Sequence, residues 1–264
     1  MLEYDTLLVK DIDNWGKLYS INQFLENVEL KLSDNGFDRT NSRLVFSVCP
    51  DDVNRLEELD TIENALTGKY NGEFHLGGLG AYPMGGVSGL TAASHHPPDE
   101  QDDGVRKEGN LVLFVSPHMG IMDDAGSPVY GKIIRPGQEK VTSSCGAMMG
   151  FIAALKEAGS PEEFLIASDE NRIDPTRVVL HNELIQNYSE DLKRILAIDD
   201  YNTQTLELFK LNHDVVANKT KEIIDAFLEK EHFEGNIAMI SGITINIPER
   251  DLFLMNDFTF PKLN

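Results

Sequence analysis

The sequence has 264 residues, 41% of them hydrophobic and 25% charged, which suits one large α/β domain (1–264) with a full core. Its 44 acidic against 23 basic residues give a formal charge of −21, spread along the chain, so nucleic acid and anionic lipid are excluded as expected partners. No apolar run of membrane-spanning length and no secretory start appear, and two cysteines build no disulfide framework, so a reducing cytoplasmic setting is expected, organellar only if a transit peptide has been removed.

Taken in chain order, Trp15, Leu18, Tyr19, Phe24, Leu25, Val28 and Leu32 recur near a 3.6-residue period and predict a helix over 15–32, broken by Asp34-Asn35-Gly36. The continuous apolar run 44–48 predicts a buried strand ending at Cys49. Pro50 suits a first helical position, with Asp51 and Asp52 in the first turn and Val53, Leu56 and Leu59 as its apolar stripe. The stretch GGLGAYPMGGVSG at 77–89 is too rich in glycine for a regular element, and 94–99 continues it. A second buried strand over 111–115 delivers His118 at its end, and 131–136 suits a short strand. Thr142, Ser143 and Ser144 offer caps before a helix that Cys145 opens and Gly159 ends. Helices are expected over 179–196 and 203–228, and strands over 237–247 and 252–260. Strands separated by helices imply an α/β fold with a mostly parallel central sheet and closing C-terminal strands.

Both cysteines thus stand at predicted helix N-termini, and a histidine stands at a strand end between them. A helix N-terminus favours the thiolate, the form that binds a metal, and two cysteines with one histidine leave a fourth coordination position open, as in catalytic zinc sites. The spacing contains no short ligand pair such as CxxC and is equally that of two buried core thiols. It also fits a cysteine hydrolase with Cys145 as nucleophile and His118 as base, which leaves Cys49 without a role. Asp51 and Arg55, four apart on the predicted helix, can pair on one face, either as a surface ion pair or as a gate beside a metal.

The segments SVCPDDV (47–53), GGLGAYPMGGVSGLTAASHHPPD (77–99), LVLFVSPHMGI (111–121), GKIIRPGQ (131–138) and SSCGA (143–147) resemble, in order, the limiting-carbon-dioxide-inducible protein B/C family, a β-carbonic-anhydrase-like group. The closing GNIAMISGITIN and DLFLMNDFTF are similar to that family's last strands. The resemblance implies a β-carbonic-anhydrase-like fold, a homodimer, and a Zn2+ ion on Cys49, His118 and Cys145. It also implies reversible hydration of carbon dioxide to bicarbonate by a zinc-bound hydroxide, with Asp51 matching the Cys-x-Asp pattern. Val53 stands where β-carbonic anhydrases carry the partner arginine, so Arg55 is chosen on helical geometry. A metal-bearing but silent partner or sensor of inorganic carbon is the alternative within the family.

His95 and His96 are candidate proton shuttles, because histidine titrates near neutral pH, or they buttress the Pro97-Pro98 turn. His75, His181, His213 and His232 have no neighbouring ligand types and receive no role. Met148, Met149, Phe151, Ile152 and Leu155 read as core packing.

Overall fold

The computed structural model describes residues 12, 15–70, 72–95, 109–164 and 170–261. Its first elements correct the helix expected over 15–32: residues Lys17–Ser20 form an edge strand, β1, and only then does α1 (Ile21–Asp34) begin. The signal is a capping box. The Ser20 hydroxyl accepts from the Gln23 amide at 3.5 Å, and the Gln23 side chain accepts from the Ser20 N–H at 3.0 Å. Phe24, Val28 and Leu32 are the buried stripe of α1.

The apolar run at 44–48 lies in β2 (Ser42–Val48). A single 3-10 turn at Asp52–Asn54 replaces the helix expected after Pro50, and α2 (Ile62–Thr67) starts later, capped by Thr61. A short β3 (Glu73–His75) leads into the glycine-rich segment, which ends in α3 (Gly86–Ser94). β4 (Asn110–Ser116) is followed, after Pro117, by β5 (His118–Asp124), β6 (Ser127–Tyr130), β7 (Lys132–Ile134) and β8 (Val141–Ser143). Then come α4 (Gly146–Ala158), α5 (Pro175–Asn187), α6 (Ser189–Leu196), α7 (Tyr201–Lys230), β9 (Ile237–Ile247) and β10 (Arg250–Thr259). The helical stretch expected over 179–196 is two helices, broken at Tyr188.

The main sheet runs in the order β1-β10-β9-β4-β2-β3. β2 lies parallel to β3 and β4, β4 is parallel to β9, and the C-terminal β10 closes antiparallel on β9. Beyond Pro117 the chain stays on the same side of β9, where β5 pairs His118 with Thr244 in parallel register. Helices cover both faces, which is why β2, β4 and β9 read as apolar runs rather than alternations. On one face Leu44, Phe46, Val112 and Phe114 pack against Phe24, Val28, Ile62 and Leu66. On the other, Val45, Leu111, Leu113 and Val115 pack against Leu90, Ala93, Ile224 and Phe227. Met148, Phe151, Ile152 and Leu155 of α4 are buried in a third cluster, together with Cys49 and Cys145.

Two glycines permit the close approaches that assemble the sheet edge. A Cβ on Gly77 would lie 2.2 Å from the Val48 carbonyl oxygen, so only glycine lets that segment run against the end of β2. A Cβ on Gly120 would lie 2.8 Å from both the Lys132 carbonyl oxygen and Ser144 Cβ, and there the chain before Cys145 is hydrogen-bonded onto β5 through Gly120 N–H to Ser144 O.

Candidate metal centre

The parallel strands β2 and β4 end level with one another, Val48 beside Ser116, so Cys49 leaves the sheet beside the point where Pro117 leads on to His118, which opens β5 rather than ending the strand before it. That is the edge where α/β proteins place their sites. Ser144, tied to β5, brings Cys145 to the same point as the N-cap residue of α4. Cys49, His118 and Cys145 are all buried, and their ligand atoms lie within 4.8 Å of one another, with the two sulfurs 3.5 Å apart.

Each polar atom in this cluster has a partner except one. His118 Nδ1 stands 2.7 Å from Asn246 Oδ1 and 3.2 Å from the Ser144 hydroxyl, whereas the buried Nε2 has no hydrogen-bond partner. An imidazole whose Nδ1–H is donated outward keeps its Nε2 lone pair free for an electrophile. The sulfurs differ from each other. The contact with Cys49, together with the Met148 and Ala147 amides at the start of α4, overcomes burial and holds the Cys145 thiol below the ordinary range. The contact with Cys145 and burial push the Cys49 thiol up. Burial alone would lower the His118 imidazole, but the nearby Cys49 sulfur and the charge of Asp51 lift it to about 9. Two soft sulfurs and an imidazole nitrogen without a hydrogen bond, converging in a buried spot, fit a borderline-soft divalent cation such as zinc, whose binding would displace their protons.

Asp51 lies beside the cluster, with Oδ2 3.8 Å from His118 Nε2. Its partner is Arg135, not Arg55: Arg135 Nη2 donates to both carboxylate oxygens, at 2.7 and 2.9 Å. Burial acts to raise the Asp51 carboxyl, but His118 and Arg135 outweigh it and hold it below the usual carboxylate range. The reason for the change of partner is local. Asp51 caps a single 3-10 turn, accepting from the Val53 amide at 3.3 Å, so no α-helical face exists to align it with the residue four on. Arg55 turns instead to Glu63, 3.4 Å away at the start of α2. Arg135 comes from just beyond β7 and is steadied by Asp52 at 3.3 Å and by the Thr142 hydroxyl.

His95 is exposed and forms the C-cap of α3, and His96 lies outside the described residues. His75, His181, His213 and His232 take no part in the Cys-His-Cys cluster. Arg135, Ser144 and Asn246 are the residues that the sequence did not mark as part of the site; Ser144 was expected only as a helix cap, and Cys145 itself takes that position. The first two stand inside segments already quoted for their family resemblance, GKIIRPGQ and SSCGA, and Asn246 is a polar side chain in an otherwise apolar strand, GITINI.

Fold and site together define an α/β protein of carbonic-anhydrase-like type, with a Cys-His-Cys cluster positioned to hold a metal. The sequence pattern of the limiting CO2-inducible proteins B/C, beta carbonic anhydrases, matches residues 18–263, and the chain belongs to that family. Among solved structures it is similar to PtLCIB4, a homolog of the limiting CO2-inducible protein LCIB, with 23% identity and a TM-score of 0.76 over 97% of this chain and 95% of that one. It is also similar to LCIB itself, with 16% identity and a TM-score of 0.66 over 98% and 99% of the two chains. These similarities speak for the fold. No curated protein matches the sequence. Among the described residues no helix is long and apolar enough to cross a membrane.

Proposed function

We propose that this protein is a zinc-dependent carbonic anhydrase, hydrating carbon dioxide reversibly to bicarbonate, with Cys49, His118 and Cys145 as the metal ligands. The observation that carries the reading is the buried, unpartnered His118 Nε2 beside two sulfurs 3.5 Å apart. Zinc held there would supply Lewis-acid activation of water, so that a hydroxide nucleophile is available near neutral pH.

The protein's own part is orientation. Asp51 is ionised and accepts hydrogen bonds only, so it takes the O–H of the nucleophile and turns a lone pair toward the carbon of carbon dioxide. Arg135, holding both Asp51 oxygens, fixes that direction and keeps the carboxylate from becoming a fourth ligand. His95, exposed at the end of α3, is our candidate for passing the proton to solvent, with His96 as its neighbour in sequence. A homodimer, the assembly that the family resemblance implies, is part of the same proposal.

The hydrolase reading has less support, because Cys145 is 1% exposed and a second cysteine sulfur lies against it where an acyl substrate would have to approach. Stopped-flow hydration by zinc-loaded protein is the test. Turnover above buffer that disappears on Cys145→Ser is expected. A fully zinc-loaded protein without turnover would leave the silent partner or sensor in its place.

A further inference from the structure

Asn246, at the end of β9, is fully buried and uses both ends of its amide. Its Oδ1 faces His118 Nδ1 at 2.7 Å and the Ser144 hydroxyl at 3.4 Å, and its Nδ2 faces Asp251 Oδ1 at 2.9 Å and Asn54 Oδ1 at 3.2 Å. An amide looks nearly the same after a half-turn, so its orientation follows from what its partners can do. Turned over, it would present N–H groups to His118 Nδ1. That nitrogen would then have to carry the lone pair, and Nε2, the atom aimed at the sulfurs, would carry the proton.

Two groups prevent the turn: a backbone carbonyl, which can only accept, and a carboxylate, which when ionised accepts through both oxygens. The Cys49 carbonyl takes the Asn54 Nδ2 donor at 3.1 Å, which commits Asn54 Oδ1 to facing Asn246. Asp251, fully buried on β10, takes the Ile62 amide on one oxygen at 3.1 Å and leaves the other facing Asn246 Nδ2. We propose that Asp251 is a positioning residue of the metal centre: its carboxylate fixes the Asn246 amide, and through it holds His118 with a bare Nε2 toward the metal. Asp251 touches neither ligand nor substrate. It acts two hydrogen bonds away, and the inference rests on the reading of Cys49, His118 and Cys145 as metal ligands.

The test measures metal affinity, by competition of the zinc-loaded protein with a chelating dye and from the visible spectrum of the cobalt(II)-substituted form. Asp251→Ala is expected to weaken zinc binding roughly 10- to 100-fold, the usual scale for a group supporting a ligand. Asn246→Ala should weaken it similarly, and the double variant should be no worse than Asn246→Ala alone, because Asp251 acts only through Asn246. The variant Asp251→Asn keeps the side chain's volume but has one oxygen for two donors, the Ile62 amide and Asn246 Nδ2, so it should weaken binding about as much as Asp251→Ala. Wild-type affinity in D251A or in D251N, or additive losses in the double variant, would each overturn the proposal. Should D251A fail to fold, D251N decides alone. A wild-type protein that takes up no zinc would overturn the metal reading itself, and this inference with it, whereas tight wild-type binding that D251A leaves unchanged would overturn only the inference.

Discussion

Arg135 and Asp51 stand 84 positions apart in the chain, yet one guanidinium nitrogen of the first lies 2.7 and 2.9 Å from the two carboxylate oxygens of the second. Arg55, only four residues from Asp51, is committed to Glu63. Arg135→Ala should therefore lower hydration turnover on the order of 10²-fold, the scale of misplacing a group that orients the reacting atoms. Arg55→Ala should leave turnover within about twofold, since Arg55 is half-exposed and meets Glu63 rather than Asp51. Parallel stopped-flow assays at equal zinc content check both, and the opposite ranking would return the gate to Arg55.

Asp51→Ala is expected to abolish most turnover while leaving zinc stoichiometric, because Asp51 supplies orientation and the three ligands remain. Zinc content by atomic absorption beside the hydration rate separates the two effects. Loss of zinc in this variant would make Asp51 a ligand instead.

Metal removal should destabilise the fold. Two thiols and an imidazole held together without a cation cost free energy, and a tightly bound ion stabilises the folded state by about 4 kcal/mol at a thousandfold excess over its Kd. Dialysis against a strong chelator should lower Tm by several degrees, and added zinc should restore it. Cys49→Ser, Cys145→Ser and His118→Ala should each show a low Tm that zinc no longer raises.

Stability should also fall with rising pH through Glu63. Burial pushes its carboxyl up to about 8, from 4.5 in the unfolded chain, against the opposing pull of Arg55. The folded state thus holds a proton that the unfolded state has lost between these limits, so stability is present in full below about 4.5 and declines up to about 8, at most about 1.4 kcal/mol per pH unit. Asp251, lifted by burial to about 7 although Asn246 and Ile62 pull the other way, adds to the same slope. Relative to wild type, Glu63→Gln should gain stability steadily between pH 5 and 8 in denaturant titrations. A constant difference across that range would mean that Glu63 is ionised throughout.

The three ligand candidates were legible because each sits where a pattern changes: apolar strand to proline, apolar strand to Ser-Pro-His, serine caps to helix. Such boundaries are local, and so is the information that marks them. The arginine was not legible by spacing, because that inference needed a helix after Cys49. The chain makes only one 3-10 turn there, held by Asp51 and by Asn54 reaching back to the Cys49 carbonyl. Asn246 offered a different signal. An asparagine between two isoleucines in a strand buried along its whole length must spend its hydrogen bonds on something, and that reasoning locates a partner without identifying it. The early edge strand was hidden because Leu18 and Tyr19 suit a helical period as well as a strand, and the capping box at Ser20 was the feature that distinguished them.

The position of β9 has a consequence for how the chain comes together. It lies between β4 and β10, with β5 also resting on it, yet only β10 follows it in sequence. A nascent chain therefore emerges with β2 and β4 able to pair, while the strand that both β4 and β5 lean on has still to be synthesised. The contact between His118 and Asn246 closes a loop of 128 positions, and closures of that length come late because their entropy must be met before they return any contact energy. On the metal reading, capture would therefore wait until β9 is in place. A ribosome-bound chain that ends before Asn246 has its sulfurs and its imidazole, but only the Ser144 hydroxyl, not the shorter contact to Asn246, to aim the ring.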